Sequence, residues 1–220
     1  MTKIPLPCLC LIGNIQIFGN ELQNNILSKS IEAGVNMVQL RDKEASNLDF
    51  LKTATAIKLL TQSKTLFFIN DRLDIAKICE ADGVQLGEKS VSVAMVHNMT
   101  ENMIIGRSVH DINGAIQAEE HGADFLIVGT IFPSRSHPNL AVKGLTLLKE
   151  LAEIINIPFL AIGGISKDNV ESVIEAGASG VAVISAISLA NSPTEATIDL
   201  LEKIKLAWLS KQSASDNTVL

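Results

Sequence analysis

The chain has 220 residues, enough for one domain with a sizeable core and short for two. Hydrophobic residues make up 47% and charged ones 19%, which excludes a disordered chain, and no apolar run approaches the roughly 18 residues of a membrane-spanning helix. Eighteen Lys and Arg against 24 Asp and Glu give a net charge of −6 with no basic run, which argues against a nucleic-acid partner or an anionic membrane surface. The opening MTKIPLPCLCLIG carries one lysine and is broken by prolines, so it is a poor signal peptide and reads as a first strand. Three cysteines without a C-x-x-C pair argue against a disulfide framework or a structural zinc site. Buried thiols in a reducing cytoplasm are the expectation.

Short apolar, β-branched runs recur along the chain: CLCLIG (8–13), VNMVQL (35–40), TLFFIN (65–70), GVQLG (83–87), IIGRSV (104–109), FLIVG (125–129), FLAIGG (159–164) and GVAVIS (180–185). Most lack polar–apolar alternation, the pattern of strands covered on both faces. Helical spacing lies between them. It runs from Ile112 through Ala115, Ile116 and Ala118 to Glu120, from Leu145 through Leu148 and Leu151 to Ile155, through Val170, Val173 and Ile174, and from Ala196 to Trp208. Eight strands alternating with helices predict a single (β/α)8 TIM barrel over 1–209, with an aperiodic, flexible C-terminal tail at 210–220. A doubly wound open sheet is the competitor, and its usual strand number leaves two runs unassigned.

The phrases EAGVNMVQL, EADGVQLG, EHGADFLIVG and EAGASGVAVIS form a weak repeat, with alanines at 33, 81, 123 and 178. They precede the second, fourth, sixth and eighth runs. Gly34, Gly122 and Gly177 suit helix C-termini, where a positive φ is needed. Reuse of one loop type in any α/β chain would leave the same trace.

In such a barrel the chemistry lies at the C-terminal strand ends. Few of those ends are blank: they carry Gln39, Arg41 and Lys43, then Asn70, Asp71 and Arg72, then Gly87, Glu88 and Lys89, then Ser108 and His110. Run six opens onto GTIFPSRSHPN, run seven ends at Gly163-Gly164 and run eight at Ser185. Two phosphate-type sites suggest themselves. One joins AIGGI-SKDNV to VISAI, unless the glycine pair merely turns the chain and Ser166 caps a helix. The other is PSRSHP, whose hydroxyls and loop amides could meet phosphoryl oxygens beside Arg135, His137, Arg41 and Lys43, unless it is only a solvated loop. Asp71 is placed as a magnesium ligand or as a helix cap. His97 and His121 read as helix-surface residues and His110 as structural, leaving His137 as acid/base or hydrogen-bond donor.

The stretches VQLRDK, FINDRLDIA, ADGVQLG, IIGRSVH, GADFLIVGTIFPSRS, AIGGI and VAVISAI stand in order between Val35 and Ile187. In that set the chain resembles the thiamine-phosphate synthase family, which includes thiazole tautomerases. The resemblance implies a barrel that joins a hydroxymethylpyrimidine diphosphate to a thiazole phosphate, releasing pyrophosphate. It implies that Gln39, Leu40, Arg41, Asp42 and Lys43 contact the pyrimidine diphosphate, with Arg41 and Lys43 on its phosphates and Asn70 beside them. Asp71 would hold Mg2+ and Ser108 would lie against the pyrimidine. Ser134, Arg135, Ser136 and His137 would face the thiazole phosphate and pyrophosphate, with Gly164, Ile184 and Ser185 around the thiazole phosphate. Lys43, Ser108 and His137 are the expected catalytic residues, the partners are small phosphorylated substrates, and a homo-oligomer stays open.

Three departures from the family pattern bear on this expectation, and two of them remove a carboxylate and so weaken its metal side. Ser90 stands where the synthases carry a second magnesium-binding aspartate, His137 where they carry lysine, and Gly13-Asn14 where threonine-aspartate is common. Thiazole tautomerase activity, or a non-catalytic barrel that binds thiamine precursors, are therefore the alternatives to synthase activity.

Overall fold

The computed structural model describes residues 3–19, 26–62, 64–134 and 141–216. Eight parallel strands are present: β1 (Cys8–Gly13), β2 (Met37–Leu40), β3 (Leu66–Asn70), β4 (Gly83–Leu86), β5 (Ile104–Val109), β6 (Phe125–Gly129), β7 (Phe159–Ile162) and β8 (Gly180–Val183). Each falls inside one of the apolar runs. β1 pairs with β8, Cys8 opposite Gly180 and Leu11 opposite Val183, so the sheet closes on itself. That closure excludes the open doubly wound sheet.

Alternation along each strand sorts two cores. Leu9, Leu11, Val38, Leu40, Phe67, Ile69, Val84 and Leu86 point outward, under the helices. Cys10, Met37, Phe68, Phe125, Leu160 and Ala182 fill the interior, with Ile4 from the N-terminal segment joining them. The Phe68 and Phe125 rings meet edge to face with centroids 5.4 Å apart. Both rings occupy space left by glycine: a Cβ on Gly83 would stand 2.2 Å from Phe68, and one on Gly106 2.4 Å from Phe125. Small residues inside the strands are thus a packing requirement of the two largest interior side chains.

Between the strands lie α2 (Ile26–Glu32), α3 (Asn47–Thr61), α4 (Leu73–Ile78), α5 (Val93–Met99), α6 (Ile112–Glu120), α7 (Gly144–Ile154), α8 (Val170–Glu175) and α10 (Pro193–Asp216). Two four-residue helices, α1 (Ile15–Phe18) and α9 (Ser185–Ser188), follow β1 and β8. They are too short to show periodicity, and no apolar spacing marks them. The C-terminal reading needs correction: α10 runs through Asp216, so residues 210–216 are helical. Lys211 donates to the Gly177 carbonyl at 3.0 Å and lies over the Trp208 ring, which fastens that last stretch.

The sequence repeat has a structural cause. Val35, Ala81, Ala123 and Ala178 each donate a backbone N–H to the carbonyl five residues earlier, closing a helix end. The preceding residues Gly34, Glu80, Gly122 and Gly177 have φ of 96, 53, 88 and 115°. Val35, not Ala33, is therefore the counterpart of the three later alanines. One residue further on, Asn36, Asp82 and Asp124 clamp the start of an odd-numbered strand. Their side chains accept from Leu9, Phe67 and Ile105 N–H groups at 2.8 Å in each case. Their own N–H groups return bonds to the carbonyls of the same three residues. These clamps ring the N-terminal end of the barrel and leave the opposite end for chemistry.

Candidate active site

At the C-terminal end of the strands the inward positions turn polar, and a cavity of about 510 Å³ opens there. Its wall includes Gln39, Arg41, Lys43, Asn70, Asp71, Ser108, Ser134, Gly164, Ile184 and Ser185. Strand parity explains the set: Gln39, Asn70 and Ser108 continue the inward series of β2, β3 and β5. Leu40 falls on the other parity and is fully buried under the helices, so its side chain does not face the cavity. Asp42 also lies outside the cavity wall. Its carboxylate accepts from the Ile15, Glu44 and Ala45 N–H groups and shapes the loop that carries Arg41 and Lys43. Arg135, Ser136 and His137 lie outside the described residues. Both ends of their loop are fixed, since Lys143 N–H donates to Thr130 O at 2.8 Å and Gly144 N–H to Ile131 O at 3.2 Å.

Gln39 Nε2 donates to Asn70 Oδ1 at 2.9 Å, and Asn70 Nδ2 donates to Asp71 Oδ2 at 2.7 Å. Asp71 sits at φ 61°, a left-handed conformation that aspartate tolerates better than most residues. It does not cap α4: no side-chain bond is made at that helix start, and its carboxylate crosses instead to the loop after β4. Oδ1 accepts from Gly87 N–H at 2.8 Å and from the Ser90 hydroxyl. A carboxylate offers roughly four lone-pair sites, so the three bonds leave one for a ligand. Ser90 thus hooks this carboxylate where a second carboxylate was expected from the resemblance. Among the described residues no group of three or more His, Cys, Asp or Glu is placed to hold a metal ion.

Arg72 turns away from the cavity into a two-bond pair with Asp74, at 2.9 and 2.7 Å, and its hydrogen bond holds the Asp74 carboxyl below the usual carboxylate range. Arg107 pins the β4–α5 loop by donating to the Glu88 and Val91 carbonyls at 2.9 and 3.0 Å. That loop brings Glu88 and Lys89 to the cavity wall.

On the far wall, Gly163 and Gly164 have φ of 104 and 62° and lie against the β6 loop. A Cβ on Gly164 would stand 2.4 Å from the Pro133 carbonyl oxygen. Ser166 does not cap α8. It opens the turn before that helix, and Asn169 ties the turn back to Gly164 O at 3.0 Å. The loops after β7 and β8 and the short helix after β8 make the arrangement that recurrently binds phosphate in these barrels.

His110 belongs to the site although the sequence read it as structural. Its ring lines the cavity, its Nδ1 bonds the Gly129 carbonyl, and its Nε2 lies 3.8 Å from Glu88. A carbonyl only accepts, so Nδ1 carries the hydrogen and Nε2 is the nitrogen left for other partners. The place of His110 at a strand end was legible, but its role was not, because its partners come from β6 and from the β4–α5 loop.

A family model described as thiamine monophosphate synthase matches residues 9–187. The thiamine-phosphate synthase of Pyrococcus abyssi is 38% identical over 178 residues, covering 80% of this chain and 86% of that protein. That of Methanococcus maripaludis strain C5 is 37% identical over 180 residues, covering 81% of this chain and 87% of that protein. The solved thiamine phosphate pyrophosphorylase from Pyrococcus furiosus superposes with a TM-score of 0.82 at 34% identity, covering 91% of this chain and 96% of that one. A 3-hexulose-6-phosphate synthase, 18% identical with a TM-score of 0.68, shares the fold alone. Taken with the closed barrel and its polar C-terminal rim, these matches show that the chain belongs to the thiamine monophosphate synthase family.

Proposed function

We propose that this protein joins 4-amino-2-methyl-5-hydroxymethylpyrimidine diphosphate to thiazole phosphate, giving thiamine phosphate and pyrophosphate. One observation carries the reading. Arg41, Lys43 and Asp71, after β2 and β3, and Gly163, Gly164 and Ser185, after β7 and β8, line a single cavity together with Ser108, and the two groups would serve as stations for the two phosphorylated ends.

The reaction breaks the bond between the pyrimidine methylene carbon and the diphosphate oxygen. The diphosphate leaves with the electron pair, and the thiazole nitrogen donates its lone pair to the cationic carbon. Arg41 and Lys43 lower the cost of the charge that builds on the leaving group. Gln39, Asn70 and Ser108 hold the pyrimidine, and the glycine-pair loop with Ile184 and Ser185 holds the thiazole phosphate at attacking distance. Mg2+, when bound, supplies further neutralisation of the diphosphate, and the open lone pair of Asp71 is the group that would hold it, with diphosphate oxygens and water completing the shell. Cys8, Cys10 and Cys79, all free and buried, support a reducing, cytoplasmic setting.

The test is a two-substrate assay with and without Mg2+. The unmodified protein is expected to form thiamine phosphate, and Asp71→Ala to lose about 10²-fold or more in turnover. No product above background in the presence of Mg2+ overturns the proposal.

A further inference from the structure

Val-Gln-Leu occurs twice, at 38–40 on β2 and at 84–86 on β4, and only the first copy has a role so far. Gln39 and Gln85 are inward residues, 2% and 1% exposed. Each donates its amide N–H sideways to the next strand. Gln39 reaches Asn70 Oδ1 at 2.9 Å, and Gln85 reaches Ser108 Oγ at 3.0 Å. In both, the amide oxygen is buried without a hydrogen-bond partner among the described residues. A buried acceptor left open is costly and persists where a site gains from it. Gln39 lines the cavity directly, whereas Gln85 does not. The Gln85 oxygen is seated over Gly106, its register partner on β5, where a Cβ would stand 2.0 Å away. Gln85 therefore reaches a ligand only through Ser108.

We propose that Gln85 is a positioning residue that fixes the polarity of the Ser108 hydroxyl and so selects a ligand with an acceptor at that point, a ring nitrogen of the pyrimidine. The inference rests on the proposed function. A serine hydroxyl has one hydrogen and two lone pairs. The Gln85 N–H takes a lone pair, so the hydrogen cannot point at Gln85 and is offered to the cavity. Ser108 thus presents a donor, and a pyrimidine ring nitrogen carries its complement.

The test uses Gln85→Met, which keeps the length and removes the donor, and Gln85→Glu, whose ionised form would accept the Ser108 hydrogen and reverse its direction. Both are made also in a Ser108→Ala background. The KM for the pyrimidine diphosphate is expected to rise about tenfold in each single variant, the size of one lost hydrogen bond. The KM for the thiazole phosphate is expected to stay unchanged. Gln85→Met, which also removes an unpaired buried acceptor, should unfold at no lower a temperature than the unmodified protein. The Gln85→Glu defect should shrink as pH falls and the carboxyl becomes a donor again. In the Ser108→Ala background neither change should add to the KM. An unchanged pyrimidine KM, an equal loss with and without Ser108, or a Gln85→Met variant that fails to fold each overturns the proposal. Turnover in the unmodified protein with unaffected variants removes this inference alone, whereas absence of product from the unmodified protein removes the proposed function with it.

Discussion

Cys8 and Cys10 face into the barrel from adjacent inward positions of β1 and are fully buried. Burial pushes the Cys8 thiol up to about 12, and burial with the neighbouring Cys8 holds Cys10 well above its ordinary range. A thiol that stays protonated is a poor nucleophile. Alkylating reagents at pH 8 should therefore leave both residues unmodified until denaturant is added, as peptide masses after quenching would show. The same shift sets a pH dependence. The unfolded chain releases these protons near the ordinary thiol value while the folded chain retains them, so stability should fall as pH rises from about 8.5 toward 12. Rising or flat denaturation midpoints across that window would contradict the assignment. Asp71 shows the opposite use of a residue: backbone in the left-handed region and a carboxylate bonded to two other elements hold one lone pair at a fixed place on the cavity wall.

Strand and helix junctions carry the stability of the opposite rim. Asp82 accepts the Phe67 N–H, returns a bond to the Phe67 carbonyl and pairs with Lys58 at 2.9 Å. Asp82→Ala would leave the Phe67 N–H unmatched beneath the helices, at a cost of about 1–3 kcal/mol, with the partly exposed Lys58 pair adding little. Urea unfolding should show that loss while both KM values stay unchanged, because the residue lies at the end of the barrel away from the cavity. The strands were legible because burial on both faces makes each one a short apolar run. The repeat was legible because every second helix must end in the same way. Its register was misread at Ala33, since alanine looks alike just past the helix and two residues later, and only the backbone bonds separate the two places. The short helices α1 and α9 had no period to show, and the helical end of α10 rests on Lys211 meeting Gly177, a contact between distant parts of the chain.

At the scale of the whole molecule, closure of the sheet turns side chains far apart in sequence into neighbours. Gln39, Arg41, Asn70, Asp71, Ser108, Gly164 and Ser185 were legible in the sequence because each lies at or just past the end of an apolar run, and the barrel gathers all such ends at one rim. The approach of His110 to Glu88 and the Gln85–Ser108 bond were not legible, because cross-strand partners depend on the stagger of the closed sheet. The same plan exposes one irregularity. Three of the four equivalent helix ends use glycine, and the fourth places Glu80 at φ 53°. A side chain in that conformation carries about 1–2 kcal/mol of strain, against about 0.5–1 kcal/mol of chain entropy that glycine would forfeit on folding. Glu80→Gly should therefore raise the thermal midpoint by about 2 °C, and by no more than about 6 °C, without altering turnover. That corner, remote from the reacting groups, holds a reserve of heat tolerance.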